Sequence, residues 1–197
     1  MITKADKTKE YILKTVAPIF NRNGYVGTTM SEITAATKLT KGAIYGNFKD
    51  KEELARKAFE FNIKNVINQI EAKMAEADSP IEQLRKIFEF YREYYIKAIE
   101  AGGCPVLNIG VDANHRSPTL FARVQEIIKR IEKDIMALLA EAIVVGQVKK
   151  GTDVEATTKN IFSVIQGSVF LSLTMNDPSY LTNATNRLDD YVDELSV

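Results

Sequence analysis

A chain of 197 residues with 45% hydrophobic and 26% charged residues is long enough to bury a core and too apolar to be disordered. Its 26 basic and 26 acidic residues cancel, which on an evenly charged surface would leave little to attract the phosphates of a nucleic acid. A single cysteine, Cys104, and a single histidine, His115, exclude an internal disulfide, a Cys/His zinc site and an H-E-x-x-H pair, so no catalytic residue, metal or cofactor is expected.

The first nine residues carry charges but no apolar run, and so do not read as a signal peptide. Prolines and glycines then punctuate the chain as helix starts and stops: Pro80, Pro105, Pro118 and Pro178 precede apolar-periodic segments, while Gly24, Gly102, Gly103, Gly146 and Gly151 follow them. No stretch alternates in the manner of a strand. The chain is therefore expected to be all-α, with about nine helices over 6–23, 30–37, 41–48, 51–77, 80–101, 105–113, 118–148, 153–176 and 179–195. Pro18 lies inside the first and predicts a kink there. The short, polar-rich first three helices and the long apolar remainder predict a domain over 1–50 and a second over 51–197. The longest uncharged stretch, 160–176, is shorter than a membrane span of about 20 residues and holds several polar residues, so it reads as a buried helix of a cytoplasmic protein with no membrane contact.

Residues 29–54 carry the densest local information. Thr29-Met30-Ser31-Glu32 is a capping box, and Ile33 and Ala36 are expected to face inward from the helix it starts. Thr40 caps the next helix, in which Ile44 and Phe48 form one apolar stripe and leave Lys41, Gly42 and Tyr45 elsewhere on the surface. Asp50 and Glu53 cap the fourth. Two short helices joined by a turn of about three residues make a helix-turn-helix, although a plain helical hairpin has the same spacing. Charge distinguishes the two. Residues 1–51 hold nine basic and four acidic residues, a net of +5, so the remaining chain carries −5. Such an asymmetry is the footprint of a DNA-binding module.

Leu13 through Phe20, Asn21-Arg22-Asn23-Gly24-Tyr25, Thr28-Thr29, Ile33, Ala36, Leu39-Thr40-Lys41-Gly42-Ala43-Ile44-Tyr45, Phe48 and Lys51-Glu52-Glu53-Leu54 together resemble the N-terminal signature of TetR-family transcriptional regulators. Lys38 departs from the pattern, which usually has glycine in the turn; a left-handed lysine there would cost about 1–2 kcal/mol. The resemblance implies that Thr40 and Lys41 meet phosphates and base edges, that Gly42 permits close backbone approach, and that Tyr45 points at the DNA backbone. It likewise implies that Thr28 or Thr29, together with Lys49 and Lys51, anchors phosphates and sets register. Leu13, Phe20, Ile33, Leu39, Ile44, Phe48 and Leu54 read as core.

In the remainder, apolar and aromatic residues on more than one face of 80–101 predict an enclosed helix. Phe88, Tyr91, Tyr94 and Tyr95 either line a cavity and offer hydroxyls to a ligand or are simply core. Gly102-Gly103-Cys104-Pro105 resembles a stretch found in one branch of the family; with no basic neighbour in sequence, Cys104 reads as a small buried thiol. Cys104, Asn108, His115, Gln166 and Phe170 complete the candidate ligand contacts. The helix over 153–176 is apolar nearly all round, and Leu181, Leu188, Tyr191, Val192 and Leu195 give the last helix a stripe to join it. Such a pair resembles half of a TetR-family four-helix dimer interface, which would space two recognition helices for a near-palindromic operator. The expected function is a homodimeric transcriptional regulator, a repressor released from operator DNA by a small-molecule effector. An activator or a ligand-independent regulator would use the same fold, and a small all-α enzyme finds no second catalytic group to support it.

Overall fold

A computed structural model of the protein describes residues 3–197; Met1 and Ile2, the first of the nine residues that do not read as a signal peptide, lie outside the described residues. Among the described residues there are ten α-helices: α1 (Lys4–Gly27), α2 (Met30–Thr37), α3 (Lys41–Tyr45), α4 (Lys51–Met74), α5 (Pro80–Arg92), α6 (Tyr94–Glu100), α7 (Pro105–Ala113), α8 (Pro118–Val144), α9 (Val154–Met175) and α10 (Ser179–Leu195). The only strand-like pairing among them is an isolated antiparallel bridge between Val148 and Ser196.

The caps explain most of the boundaries. Thr29 and Glu32 close both halves of their box, the Thr29 amide donating to Glu32 at 2.7 Å and the Glu32 amide to the Thr29 hydroxyl at 3.2 Å. The Ala43 amide donates to Thr40 at 3.1 Å, and the Glu53 amide to Asp50 at 2.7 Å. In the last case the return bond comes to Glu53 from the amide of Lys49 rather than from that of Asp50.

Four expectations are corrected. Helical geometry continues through Pro18, and the break in α1 falls instead at Gly24, whose φ of 74° and ψ of 177° no side-chain-bearing residue adopts readily. The long fifth segment divides at Glu93, which sits at φ −93° and ψ −3°, so that nine expected helices become ten. The recognition segment stops being helical at Tyr45, where Gly46 and Asn47 donate to the carbonyls of Gly42 and Ile44 and tighten the chain into a turn. Ala36 is exposed, and Thr37 takes the buried place with Ile33.

The chain forms two compact units, one comprising the residues up to Val66 together with Ala101–Gln125, the other Ile67–Glu100 together with Glu126–Val197. In the first, Ile12, Val16, Phe20, Ile33, Ile44, Leu54, Phe59, Ile109 and Leu120 are buried. Helices as short as α2 and α3 are not stable alone; the complete burial of Ile33 and Ile44, about 1.5–3 kcal/mol for each, holds them to the unit. Asn21 of α1, fully buried, donates to the carbonyls of Ala101 and Gly103 at 2.8 and 2.7 Å.

In the second unit α10 packs on α9 and α5. Leu181, Leu188 and Val192 are buried there, with Ile161, Ile165 and Val169 of α9 and Leu84 and Phe88 of α5. Arg85 and Arg92 both pair with Asp189, at 3.1 and 2.7 Å. Leu181, Leu188 and Val192 of the α10 stripe are thus covered within the chain, whereas Phe170, Leu171 and Met175 of α9 are left exposed.

Candidate nucleic-acid interface

Burial of Ile44 and Phe48 turns the opposite side of α3 outward. Thr40, Lys41, Gly42 and Tyr45 are all exposed, Tyr45 by 42% despite its size. Gly42 has open space over it: an added Cβ would find only the Thr40 hydroxyl, 3.9 Å away. The fold thus has no steric need for glycine at this position. Gly46 differs, because a Cβ there would lie 3.3 Å from the Gly42 carbonyl oxygen.

The turn between α2 and α3 holds Lys38 at φ 55° and ψ 26°, the left-handed geometry that the missing glycine would favour. Lys49 is exposed. Lys51 is half-buried, with its Nζ 4.8 Å from the centre of the Tyr25 ring. Partial burial pulls its ammonium below the ordinary lysine range, against the attraction of Asp112 and Glu32. The two adjacent threonines separate: Thr28 is fully buried and its hydroxyl donates to the Gly24 carbonyl at 2.7 Å, so its side chain does not reach a phosphate, while Thr29 is exposed at the start of α2.

The residues expected to touch a ligand fall into both compact units. In the second, Phe88, Tyr91 and Tyr94 are buried, and Tyr91 and Tyr94 meet Phe90 and each other in a three-ring cluster of edge-on and tilted contacts with centroids 5.2 to 5.5 Å apart. Lys97 places its Nζ 5.0 Å from the Phe90 ring centre. Tyr95 and Gln166 are half-buried, and Phe170 is exposed, on the outside of α9.

In the first unit, Cys104 is buried, and burial pushes its thiol up, away from the reactive thiolate. Asn108 spends its amide on the carbonyls of Asn21 and Gly102, at 2.8 and 3.0 Å, a structural task rather than an open ligand contact. His115 is exposed in a left-handed turn after α7, at φ 68°. Two residues given no structural role from the sequence do much to hold this unit: Asn21, part of the family signature, and Asp112, one of the polar groups in the short helix after Pro105 that a pocket edge could use, which accepts from the amides of Tyr25 and Val26. A polar Asn21 one turn from the buried Ala17 and next to Phe20 is the available signal for the first; nothing local marks the second.

The family model for bacterial regulatory proteins of the tetR family matches residues 12–58, and the model for tetracyclin repressor-like C-terminal domains matches residues 80–188, more than half of the chain. The chain belongs to the TetR family. It is a DNA-binding transcriptional regulator with a C-terminal ligand-binding domain. Helices α2 and α3 lie within the part matched by the N-terminal TetR model.

Among relatives, the HTH-type transcriptional repressor NicS of Pseudomonas putida is 28% identical over 147 residues, covering 74% of this chain and 66% of that protein. The HTH-type transcriptional regulator YxaF of Bacillus subtilis is 26% identical over 181 residues, covering 91% and 92%. The crystal structure of a TetR-family regulator from Cytophaga hutchinsonii superposes with a TM-score of 0.92 at 28% identity, covering 100% of this chain and 98% of that one. Among the described residues of this TetR-family regulator, no helix is long and apolar enough to cross a membrane.

Proposed function

We propose that this TetR-family regulator is a homodimeric, cytoplasmic repressor that reads a near-palindromic duplex with α3 and releases it when a small-molecule effector occupies the C-terminal domain. The observation that carries the DNA-reading part is the outward set Thr40, Lys41, Gly42 and Tyr45 on α3, with open space over Gly42, in a segment of net charge +5. Lys41 and Tyr45 supply base-edge and phosphate contacts; Thr29 and Lys49 fix register on the phosphates. Lys51 reaches a phosphate only from its place over the Tyr25 ring.

Dimerisation is assigned to α9 and α10. Phe170, Leu171 and Met175 expose 54%, 41% and 58% of their surface on one helix, and Gly167, with nothing within 4 Å of an added Cβ, leaves room there for a second helix. The effector is assigned to the half-buried and aromatic residues of the second unit, Tyr91, Tyr94, Tyr95 and Gln166. No step of this function is a chemical reaction, and the chain is not an enzyme in this reading.

The test uses duplexes that the wild-type protein selects from a random-sequence pool. Lys41→Ala combined with Tyr45→Ala lowers affinity for them at least tenfold, and wild-type affinity falls steeply as salt rises, because phosphate contacts release counterions. Unchanged binding by the double variant overturns the assignment of α3. A stable monomer in sedimentation at micromolar concentration overturns the dimer.

A further inference from the structure

The left-handed break at Gly24 in effect begins a new helical segment, and the first amides of such a segment need partners from outside it. Asp112, in α7, supplies them. Its Oδ2 accepts from the Tyr25 amide at 2.6 Å and from the Val26 amide at 3.3 Å, and its Oδ1 faces the Arg116 guanidinium at 3.7 Å. A Cβ at position 24 would sit 2.7 Å from the Asp112 Cγ, so glycine and carboxylate occupy one tightly fitted junction.

The DNA reader begins immediately beyond that junction. The Tyr25 ring lies under Lys51, the Thr28 hydroxyl closes back on the Gly24 carbonyl, and Thr29 starts α2, the helix that supports α3. The two amides lie in the stretch matched by the N-terminal TetR model, and the carboxylate lies in the stretch matched by the C-terminal one.

We propose that Asp112 is a positioning residue for DNA binding: without touching DNA, its carboxylate holds the amides of Tyr25 and Val26 and so fixes the direction in which the chain enters α2. A charged acceptor forms stronger hydrogen bonds than a neutral one, so an asparagine, which keeps an oxygen but not the charge, holds the junction less firmly. This role rests on the assignment of α3 as the reader.

The experiment compares Asp112→Ala and Asp112→Asn with wild type, with Lys41→Ala as a reader control and with Arg85→Ala as a stability control away from α3. Each is measured for affinity toward duplexes selected by the wild-type protein, for the slope of log affinity against log salt, and for amide exchange over residues 25–37. Asp112→Ala lowers affinity about tenfold, leaves the salt slope unchanged because no phosphate contact is removed, and raises exchange over 25–37. Asp112→Asn falls between it and wild type, and keeps the comparison available if the alanine variant does not fold. Lys41→Ala lowers affinity and leaves exchange over 25–37 at the wild-type level; if it has no effect on affinity, the reader assignment fails while the exchange measurement still judges the junction. Wild-type affinity and exchange in the Asp112 variants overturn the proposal, as does a loss no larger than that of Arg85→Ala at matched thermal stability.

Discussion

Replacing Gly24 by alanine strikes the first unit where backbone and tertiary contact coincide. At φ 74° and ψ 177° the residue occupies a region that only glycine enters freely, and alanine there costs about 1–3 kcal/mol. The new Cβ would also lie 2.7 Å from the Asp112 Cγ and 2.9 Å from Oδ2, closer than such atoms approach. Asp112 has to swing away, surrendering its bonds to the Tyr25 and Val26 amides, of which the short one to Tyr25 sets the loss at about 1.5–3 kcal/mol for a hydrogen bond to a charged group. Alanine stiffens the unfolded chain and returns about 0.4–1 kcal/mol. Gly24→Ala therefore costs roughly 2–5 kcal/mol. Urea denaturation at fixed protein concentration reads this as a lower midpoint, the concentration being held because assembly contributes to apparent stability. In an Asp112→Ala background the clash and the lost bonds are already gone, leaving mainly the backbone strain, so the two substitutions together cost less than their sum. A cost below about 1 kcal/mol for Gly24→Ala, or strict additivity with Asp112→Ala, would refute the reasoning.

Lys38→Gly relieves a left-handed strain of about 1–2 kcal/mol while adding about 0.5–1 kcal/mol of chain entropy to be lost on folding, so its urea midpoint rises modestly; a fall contradicts the strain. Gly42→Ala separates folding from reading: with open space over the position it raises stability by a few tenths to about 1 kcal/mol, yet lowers affinity for the selected duplexes, and unchanged affinity means that no backbone approaches there. Glu89 accepts from Lys73 and Lys86, which hold its carboxyl at about 2, below its ordinary value of 4.5. Its contribution is present above pH 4.5 and is lost as pH falls from there towards 2, and because the side chain is 35% exposed, solvent screening keeps it under about 1 kcal/mol. Glu89→Gln flattens that part of the acid limb in thermal melts recorded across this range; an unaltered acid limb means that the pairing contributes nothing.

The features legible in the sequence are those whose causes are local. A threonine followed three residues later by glutamate closes a capping box whatever surrounds it, as Thr29 and Glu32 do, and the apolar spacing of Ile44 and Phe48 marks the two as buried, although Phe48 lies in the turn beyond the end of α3 rather than on its face. The left-handed geometry at Lys38 was signalled only by the resemblance, through the glycine that the family usually has in this turn. Charge asymmetry between the first 51 residues and the rest needed only counting.

Other features depend on what arrives from far along the chain. Thr28 and Thr29 have the same chemistry and adjacent positions, and only the fold buries one and exposes the other. Pro18 carried the local signal for a break in α1, yet the break sits at Gly24, opposite a carboxylate 88 positions later in the chain. Asn108 looked like a ligand contact until the Asn21 and Gly102 carbonyls came within 3.0 Å of its amide. The sequence by itself thus determined an all-α chain with a basic helix-turn-helix, because propensity, capping and charge act over a few residues or by simple sum, while the regulatory role came from the resemblance of residues 13–54 to the TetR-family signature. Only the tertiary structure decided which polar side chains remain free to meet a partner, because a hydrogen-bonding group is used up by whichever partner the fold brings to it, and those partners lie as far as 108 positions away, as Asp193 does from Arg85.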